Sequence, residues 1–305
     1  MSGDSSELAA ALAEVGRAVR DGVRSVAVTA ADHAVARTEG GDVVFGVDAR
    51  ADVLLIEALE RHCGERWPGR LVVEGYDDDV PIGDGNTWVY LADPVDGTRP
   101  WLAGKRSAWV LLGAGLEGAA TLDDLTVGAA VELPTARAHL GRVAHATTEP
   151  RSLVAVDDDL LDADQHPRPA VLTPRREADL ERTFVTVARL APGQKGTIGA
   201  WEDAVLAGLE TYEDPWLCSG GQLMGLASGA DAAVLDPRPV FGSPLCAHPY
   251  DLAAIVVARA AGVIVEGLPP GPLDAPITTD FDVAWAGYAN EAIAADLRDR
   301  IRRAG

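Results

Sequence analysis

The sequence predicts an α/β fold of the α+β kind, built in two halves at 1–150 and 151–305. Short apolar runs typical of buried strands alternate with longer stretches whose apolar residues recur at helical spacing. A passage rich in Asp, Pro and Arg, from 151 to about 182, interrupts this pattern. We interpret it as the connection between the halves, since a chain of 305 residues is long enough for one large domain or two that share an interface.

The N-terminal region is predicted to be mainly helical. Residues 1–6 form a polar segment that we expect to be frayed. Apolar residues then recur at helical spacing from Leu8 to Val19, which indicates an amphipathic helix, and a second helix is predicted over 24–37. Asp48 begins the next helix, where an N-cap and a catalytic role are both good interpretations.

Buried strands follow, and acidic residues stand at their ends. The strand Leu71–Val73 delivers Glu74 to its C-terminal end. Three aspartates, 77–79, come next among glycines and predict either a solvated loop or a mobile lid. The apolar run Trp88–Ala92 predicts another buried strand, and it stops at Asp93.

The rest of the chain continues as alternating strands and helices. Strands are predicted at 107–112, 126–132, 136–143, 184–188 and 231–235, the second and third forming a hairpin, and helices at 201–209, 220–228 and 293–301.

The stretch from Asp93 to Thr98 carries the most chemical information. Pro94 restricts the residue before it to an extended conformation, and Asp96 follows three positions after Asp93. A turn here can bring both carboxylates and the Val95 carbonyl into one small volume, where the two charges would repel unless a hard cation such as Mg²⁺ lay between them. The alternative is an ordinary Asx-rich turn. Pro94 occupies the position of the nucleophile in Asp-x-Asp-Gly-Thr phosphatases, which excludes their mechanism.

This stretch resembles the signature of the inositol monophosphatase family, a group of Mg²⁺-dependent, lithium-sensitive phosphatases. The signature is Asp-Pro-apolar-Asp-Gly-Thr after a strand, and three further segments resemble the family in the same order: 42–48, 72–74 and 249–264. The resemblance covers about residues 42–267. It implies a layered αβαβα sandwich with the active site where the halves meet, and a substrate wall formed in part by 219–232.

The resemblance also implies a set of metal ligands. The first ion would be held by Glu74, Asp93 and the Val95 carbonyl, and the second by Asp93, Asp96 and Asp251. Oxygen ligands suit two or three Mg²⁺ ions, with Mn²⁺ as the alternative, and do not suit zinc. Without the resemblance, Asp251 would be interpreted as the N-cap of the apolar helix after it.

The catalytic and substrate-binding residues are implied in the same way. In the family, a Thr–Asp pair helps to remove a proton from the metal-activated water, and Thr98 and Asp48 match that pair. The resemblance also implies a catalytic role for Glu74. The backbone N–H groups of Gly97 and Thr98, together with Asp251, would bind the phosphate ester.

The predicted function is Mg²⁺-dependent hydrolysis of a small-molecule phosphate monoester: an inositol, sugar or amino-alcohol phosphate. Gly75, Tyr250 and the segment 99–101 depart from the family pattern and leave the substrate open. The alternatives are a 3′-phosphoadenosine 5′-phosphate phosphatase, a fructose-1,6-bisphosphatase-like enzyme, and a catalytically silent relative that binds metal and ligand. Many relatives are dimers, so a homodimer is expected.

Composition limits the partners and the compartment. The formal net charge of −21 argues against binding to nucleic acids or anionic membranes, and an anionic substrate therefore requires bound cations in the site. Three widely spaced cysteines argue against a zinc site and a disulfide framework. The sequence lacks a signal peptide pattern and a membrane-spanning apolar run, so we expect a cytoplasmic protein.

Overall fold

A computed structural model of the chain describes residues 2–26, 28–39, 42–76, 78–162, 166–190 and 193–304. The helices are α1 (Ser2–Arg24), α2 (Gly46–Cys63), α3 (Thr98–Leu102), α4 (Lys195–Val205), α5 (Ser219–Ala227), α6 (Ile255–Ala261) and α7 (Glu291–Ala304). Single 3₁₀ turns lie at Leu122–Asp124, Pro239–Phe241 and Pro249–Leu252. Within these ranges, no helix combines the length and the apolar character needed to cross a bilayer.

The strands form two main sheets and a hairpin. The strands are β1 (Val35–Glu39), β2 (Asp42–Phe45), β3 (Gly69–Val73), β4 (Val80–Ile82), β5 (Trp88–Asp96), β6 (Ala108–Leu116), β7 (Val127–Leu133), β8 (Leu140–Thr147), β9 (Ser152–Asp159), β10 (Arg168–Pro169), β11 (Phe184–Val187), β12 (Asp231–Asp236), β13 (Ile264–Gly267) and β14 (Trp285–Tyr288). The large sheet has eight strands in the order β10-β9-β8-β7-β6-β5-β3-β4, and the small sheet has four in the order β11-β12-β14-β13.

Strand β5 lies inside the large sheet, and all nine of its residues are buried. Successive side chains of a strand point to opposite faces. Val89 and Leu91 therefore pack into the core shared with α5 and α6, whereas Tyr90 and Ala92 pack into the core under α1 and α2. Burial on both faces explains why this strand is a continuous apolar run rather than an alternating one.

The cores stack in a fixed order. Helices α1 and α2 cover one face of the large sheet, and α5 and α6 fill the space between the two sheets. The other face of the small sheet packs against α4 and α7 through Val187, Leu235 and Tyr288. The layers are therefore helix, sheet, helix, sheet, helix, which confirms the predicted α/β class and the αβαβα arrangement.

Two predictions in the N-terminal region were wrong. The second helix predicted over 24–37 does not form in the described residues: α1 ends at Arg24, and Val35–Glu39 is a strand paired with β2, where the β-branched Val35 and Thr38 favour extended backbone. The segment 1–6 is helical from Ser2, since Asp4 accepts a hydrogen bond from Trp67 Nε1 at 2.7 Å. Met1 lies outside the described residues, as does Asp77 of the three-aspartate segment.

The passage from 151 to 182 contains more regular structure than the sequence indicated. Strand β9 pairs antiparallel with β8 along its length and extends the large sheet. Arg17 and Arg20 of α1 pair with Asp158 of β9, the shortest N–O distances being 2.9 Å and 2.8 Å. The small sheet begins only at Phe184. The division into halves at 1–150 and 151–305 stays a prediction.

The remaining elements agree with prediction except at their ends. The hairpin of β7 and β8 is present, although β8 begins at Leu140 because residues 135–138 form a turn. Helix α4 ends at Val205 rather than near Leu209, before Gly208, whose φ of 80° is left-handed.

Candidate active site

The site forms where β5 ends and the chain turns into α3. The pairing of β5 with β6 is irregular between Asp93 and Asp96, and the Val95 N–H donates to Asp93 Oδ1 at 2.9 Å. Gly97 follows with a φ of 91°, and a Cβ there would lie 3.0 Å from Cys218 Sγ. Glycine suits this position, because the left-handed backbone disfavours other residues and a Cβ would crowd the Cys218 side chain.

Three carboxylates converge in this turn. Oxygen atoms of Asp93, Asp96 and Asp251 all lie within 4.8 Å of one another. Burial raises the pKa of Asp93 well above its usual range, and the negative charges of Glu74, Asp96 and Asp251 raise it further. Burial likewise raises the pKa of Asp96, with a further contribution from Asp251. Such a cluster is unfavourable by itself, and its oxygen donors fit a hard divalent cation.

Asp251 reaches the cluster from the second half of the chain. It lies in the 3₁₀ turn Pro249–Leu252, and its Oδ2 accepts a hydrogen bond from the His248 N–H at 2.6 Å. The carboxylate thus closes its own turn, as a capping residue does, and also faces Asp93 and Asp96. The interpretation of Asp251 as the N-cap of the following helix was wrong: the N-cap of α6 is Ala254, and Asp251 is the third residue of the 3₁₀ turn before it.

Glu74 lies at the edge of the same cleft. Strand β3 runs parallel to β5, so their C-terminal ends meet at one edge of the sheet. Glu74 follows β3, lines the cleft with Asp93 and Val95, and influences the pKa of Asp93. It is not among the three residues whose oxygen atoms all lie within 4.8 Å of one another.

Thr98 and Asp48 are in direct contact. Thr98 Oγ1 lies 2.7 Å from Asp48 Oδ1 and 2.7 Å from the Val95 carbonyl oxygen, and its single proton can be donated to either. Asp48 is the third residue of α2 rather than its N-cap, and its Oδ2 accepts from the Phe45 N–H at 2.7 Å. The carboxylate therefore closes the start of α2 with one oxygen and meets Thr98 with the other.

Helix α5 supports Asp96, a role that sequence reasoning did not identify. The Gly220 N–H donates to Asp96 Oδ2 at 2.5 Å, and Cys218 Sγ lies 3.3 Å from the same oxygen. A Cβ at Gly220 would lie 2.9 Å from that carboxylate. The segment Cys-Ser-Gly-Gly at the start of α5 was the available signal, because consecutive small residues often mark a close approach of backbone.

Arg238 is a second residue that the sequence analysis missed. It is buried in the wall of the cleft, and its Nε and Nη2 donate to Asp236 at 2.8 Å and 2.6 Å. The signal was Asp236-Pro-Arg238 at the end of a strand, which resembles Asp93-Pro94 at the end of β5.

The cleft contains about 650 Å³ of space outside the protein atoms, including open solvent at its mouth. The first half of the chain contributes Asp48, Glu74 and residues 93–100 to its walls. The second half contributes residues 216–219, Arg238 and Asp251. All the site residues predicted from the sequence therefore lie around one cavity: Asp48, Glu74, Asp93, Val95, Asp96, Gly97, Thr98 and Asp251.

This chain is similar to known proteins in its three-dimensional structure, and sequence comparisons found no match. No protein-family model matches the sequence, and no curated protein matches it significantly. Among solved structures, inositol monophosphatase from Anabaena (Nostoc) sp. PCC 7120 aligns with a TM-score of 0.66 at 15% identity, covering 97% of this chain and 95% of that one. Fructose-1,6-bisphosphatase from Leishmania major gives 0.73 at 13% identity, with 99% and 95% covered. SuhB from Mycobacterium tuberculosis gives 0.62 at 18% identity, with 96% and 93% covered.

These alignments extend over nearly the whole chain, including the layers that enclose the cleft. They confirm the resemblance at the level of fold. The chain has the inositol monophosphatase fold, which solved fructose-1,6-bisphosphatase and SuhB structures share.

Proposed function

We propose that the protein is a Mg²⁺-dependent phosphatase that hydrolyses a small-molecule phosphate monoester: an inositol, sugar or amino-alcohol phosphate. The observation that carries this proposal is the convergence of Asp93, Asp96 and Asp251 within 4.8 Å. It is supported by the Thr98–Asp48 contact on the same cleft and by a fold shared with solved phosphatases.

The metal ligands would be Glu74, Asp93, the Val95 carbonyl, Asp96 and Asp251. All are oxygen donors, and all line the cleft. Mg²⁺ held there, with Mn²⁺ as the alternative, would neutralise phosphate oxygens and make a water more acidic. Cations bound by these ligands would also allow an anionic substrate to approach a protein whose formal net charge is −21.

Thr98 and Asp48 would handle the proton. The Thr98 hydroxyl donates a hydrogen bond to Asp48 Oδ1. Its oxygen can therefore accept a hydrogen bond from a water in the cleft, and the water's proton can pass through Thr98 to Asp48. The hydrogen bond from the Phe45 N–H fixes the Asp48 carboxylate in this orientation. Gly97 and Thr98 line the same cavity, where their N–H groups would hold the phosphate. We also propose that the protein is a homodimer and acts in the cytoplasm.

The test is a phosphate-release screen on inositol, sugar, histidinol and nucleotide monophosphates, with Mg²⁺ and with excess chelator. We expect release only with the metal, and Asp96→Asn should lower kcat/KM by roughly 10²-fold or more, because a ligand is lost. Without metal, the melting temperature of Asp96→Asn should not fall, since the substitution removes one buried charge from a repelling cluster.

Asp84→Asn is the matched control, because Asp84 is exposed and lies outside the cleft. Equal hydrolysis in excess chelator would exclude the metal-dependent mechanism. If no ester in the screen is hydrolysed although Mg²⁺ binds, the proposed monoester substrates are wrong.

A further inference from the structure

A shallow depression adjoins the candidate active site and contains cationic side chains. The two cavities share Arg99 and Trp216 as common walls, so a ligand can extend from one into the other. The residues that line the depression without lining the cleft include Lys105 and Arg106, together with the acidic Asp214.

This concentration of positive charge is unusual for the chain. The sequence has 47 acidic and 26 basic residues, and Lys105 is one of only two lysines. Lys105 is exposed and makes no ion pair with any residue that the structure describes. An exposed cation at the mouth of a cleft in an otherwise anionic surface is positioned to attract a negatively charged part of a ligand.

Arg106 is held in place rather than extended into solvent. Its Nη2 pairs with Asp214 Oδ1, and its guanidinium lies 5.3 Å from the centre of the Trp216 ring. Asp214 offsets the charge of Arg106, and Lys105 adds a further positive charge to the depression. A guanidinium with remaining N–H donors suits the oxygens of a phosphate or carboxylate.

We infer that the substrate carries a second anionic group, a phosphate or a carboxylate, which binds in this depression against Lys105 and Arg106. The inference rests on the proposed function, because it takes the scissile phosphate to occupy the carboxylate-lined cleft. The second group would not react. It would orient the substrate and select molecules with two anionic groups over those with one.

Binding of phosphonates tests this without hydrolysis, because a phosphatase does not cleave their C–P bond. Three probes share one carbon chain: propylphosphonate has one anionic group, 3-phosphonopropionate adds a carboxylate, and propane-1,3-diphosphonate adds a second phosphonate. Their dissociation constants are measured by titration calorimetry in one Mg²⁺ buffer. We expect at least one of the two doubly anionic probes to bind roughly tenfold more tightly than propylphosphonate, and the stronger of them identifies the second group.

Lys105→Ala should remove most of this preference and leave propylphosphonate binding unchanged. Lys195→Ala is the matched control, because Lys195 is the other lysine, is exposed, and lies outside both cavities. Arg106→Ala provides a second test, with its melting temperature measured because it also loses the contact with Trp216. Equal affinity for all three probes, or a preference that survives both substitutions, would overturn the inference.

The binding result and the hydrolysis screen are independent. If phosphate esters are hydrolysed but the probes show no preference, the inference fails and the proposed function stands. If the preference depends on Lys105 but no ester is hydrolysed, the anion site is real and the proposed function fails.

Discussion

Single residues in this site have two roles, which substitutions can separate. Asp48 closes the start of α2 through one oxygen and contacts Thr98 through the other. Cys218 is the N-cap of α5, where it accepts the Gly221 N–H, and it also lies against Asp96. In each case one side chain joins a helix start to the proposed chemistry.

Thr98→Ala should lower kcat by roughly 10²–10⁴, the range for general acid–base assistance, with little change in Mg²⁺ affinity. Asp48→Asn should give a similar loss, and the double variant should be no worse than the poorer single one, because the pair acts as a unit. Thr98→Ser is the control that keeps the hydroxyl. Measurements of kcat, melting temperature and Mg²⁺ dependence are needed. Full activity in Thr98→Ala would contradict the proton-transfer role.

Cys218→Ala should weaken Mg²⁺ binding by roughly tenfold, the lower end for groups that orient a ligand. Burial raises the pKa of the Cys218 thiol, so it stays protonated and can donate to Asp96. Cys218→Ser should retain most of the affinity, since a hydroxyl can donate in the same way. Cys63→Ala is the control, because Cys63 is buried in α2 outside the cleft. Calorimetric titration with Mg²⁺ measures all three, and unchanged affinity in Cys218→Ala would refute this positioning role.

At the scale of elements, the least expected contact joins the first helix to the large sheet. Arg20 is fully buried, and Asp158 of β9 is its partner across 138 residues of sequence. This ion pair fixes α1 against a strand that the sequence analysis had assigned to a linker.

Asp158→Ala should therefore destabilise the fold by about 3 kcal/mol, because it removes the buried carboxylate that Arg17 and Arg20 share and leaves the buried Arg20 guanidinium with only the partly exposed Asp21 as a partner. Burial would raise the pKa of Asp158, but the hydrogen bonds and charges of Arg17 and Arg20 lower it overall. A lowered pKa contributes stability above the unfolded-state value, about 3.9, and that stability is lost as the pH falls through the folded-state value.

The wild type should thus lose its advantage over Asp158→Ala in acid. Urea unfolding at pH 7 and at pH 3 measures the difference. Asp159→Ala is the neighbouring control, because Asp159 pairs with the exposed Arg168. A gap between wild type and Asp158→Ala that is the same at both pH values would count against the assigned linkage.

At the scale of the whole molecule, the net charge of −21 should make stability depend on salt. Repulsion among like charges destabilises a compact chain, and salt screens it. In chelator, raising NaCl from 20 to 500 mM should increase the melting temperature by about 2 °C, equivalent to roughly 1 kcal/mol for a chain of this length. A charge-neutral osmolyte of equal osmolality controls for general solvent effects. A constant or falling melting temperature would show that surface repulsion is not a significant cost.

The sequence predicted those parts of the fold whose signal is local. Strand β5 was predicted from a continuous apolar run and helix α7 from apolar residues at helical spacing, and both patterns lie within a short segment of chain. Strand β9 was missed because its sequence is rich in aspartate, and one of those aspartates is compensated only by Arg17 and Arg20. The layered order itself came from the family resemblance rather than from periodicity.

The site divides in the same way. The ligands predicted from Asp93–Thr98 are adjacent in sequence and needed only a turn. The contact of Gly220 with Asp96 spans 124 residues, so no local pattern could predict it. Lys105 and Arg106 belonged to no motif, and only the fold brings them beside the cleft.

The division of the site between early and late parts of the chain has a consequence for synthesis on the ribosome. Glu74, Asp93 and Asp96 emerge long before α5 and Asp251, which complete their surroundings. Until residue 251 has left the exit tunnel, the nascent chain carries part of a cation site and no finished cavity. Chains released before that point would be inactive, and their unsupported carboxylates would favour unfolding and removal by quality control.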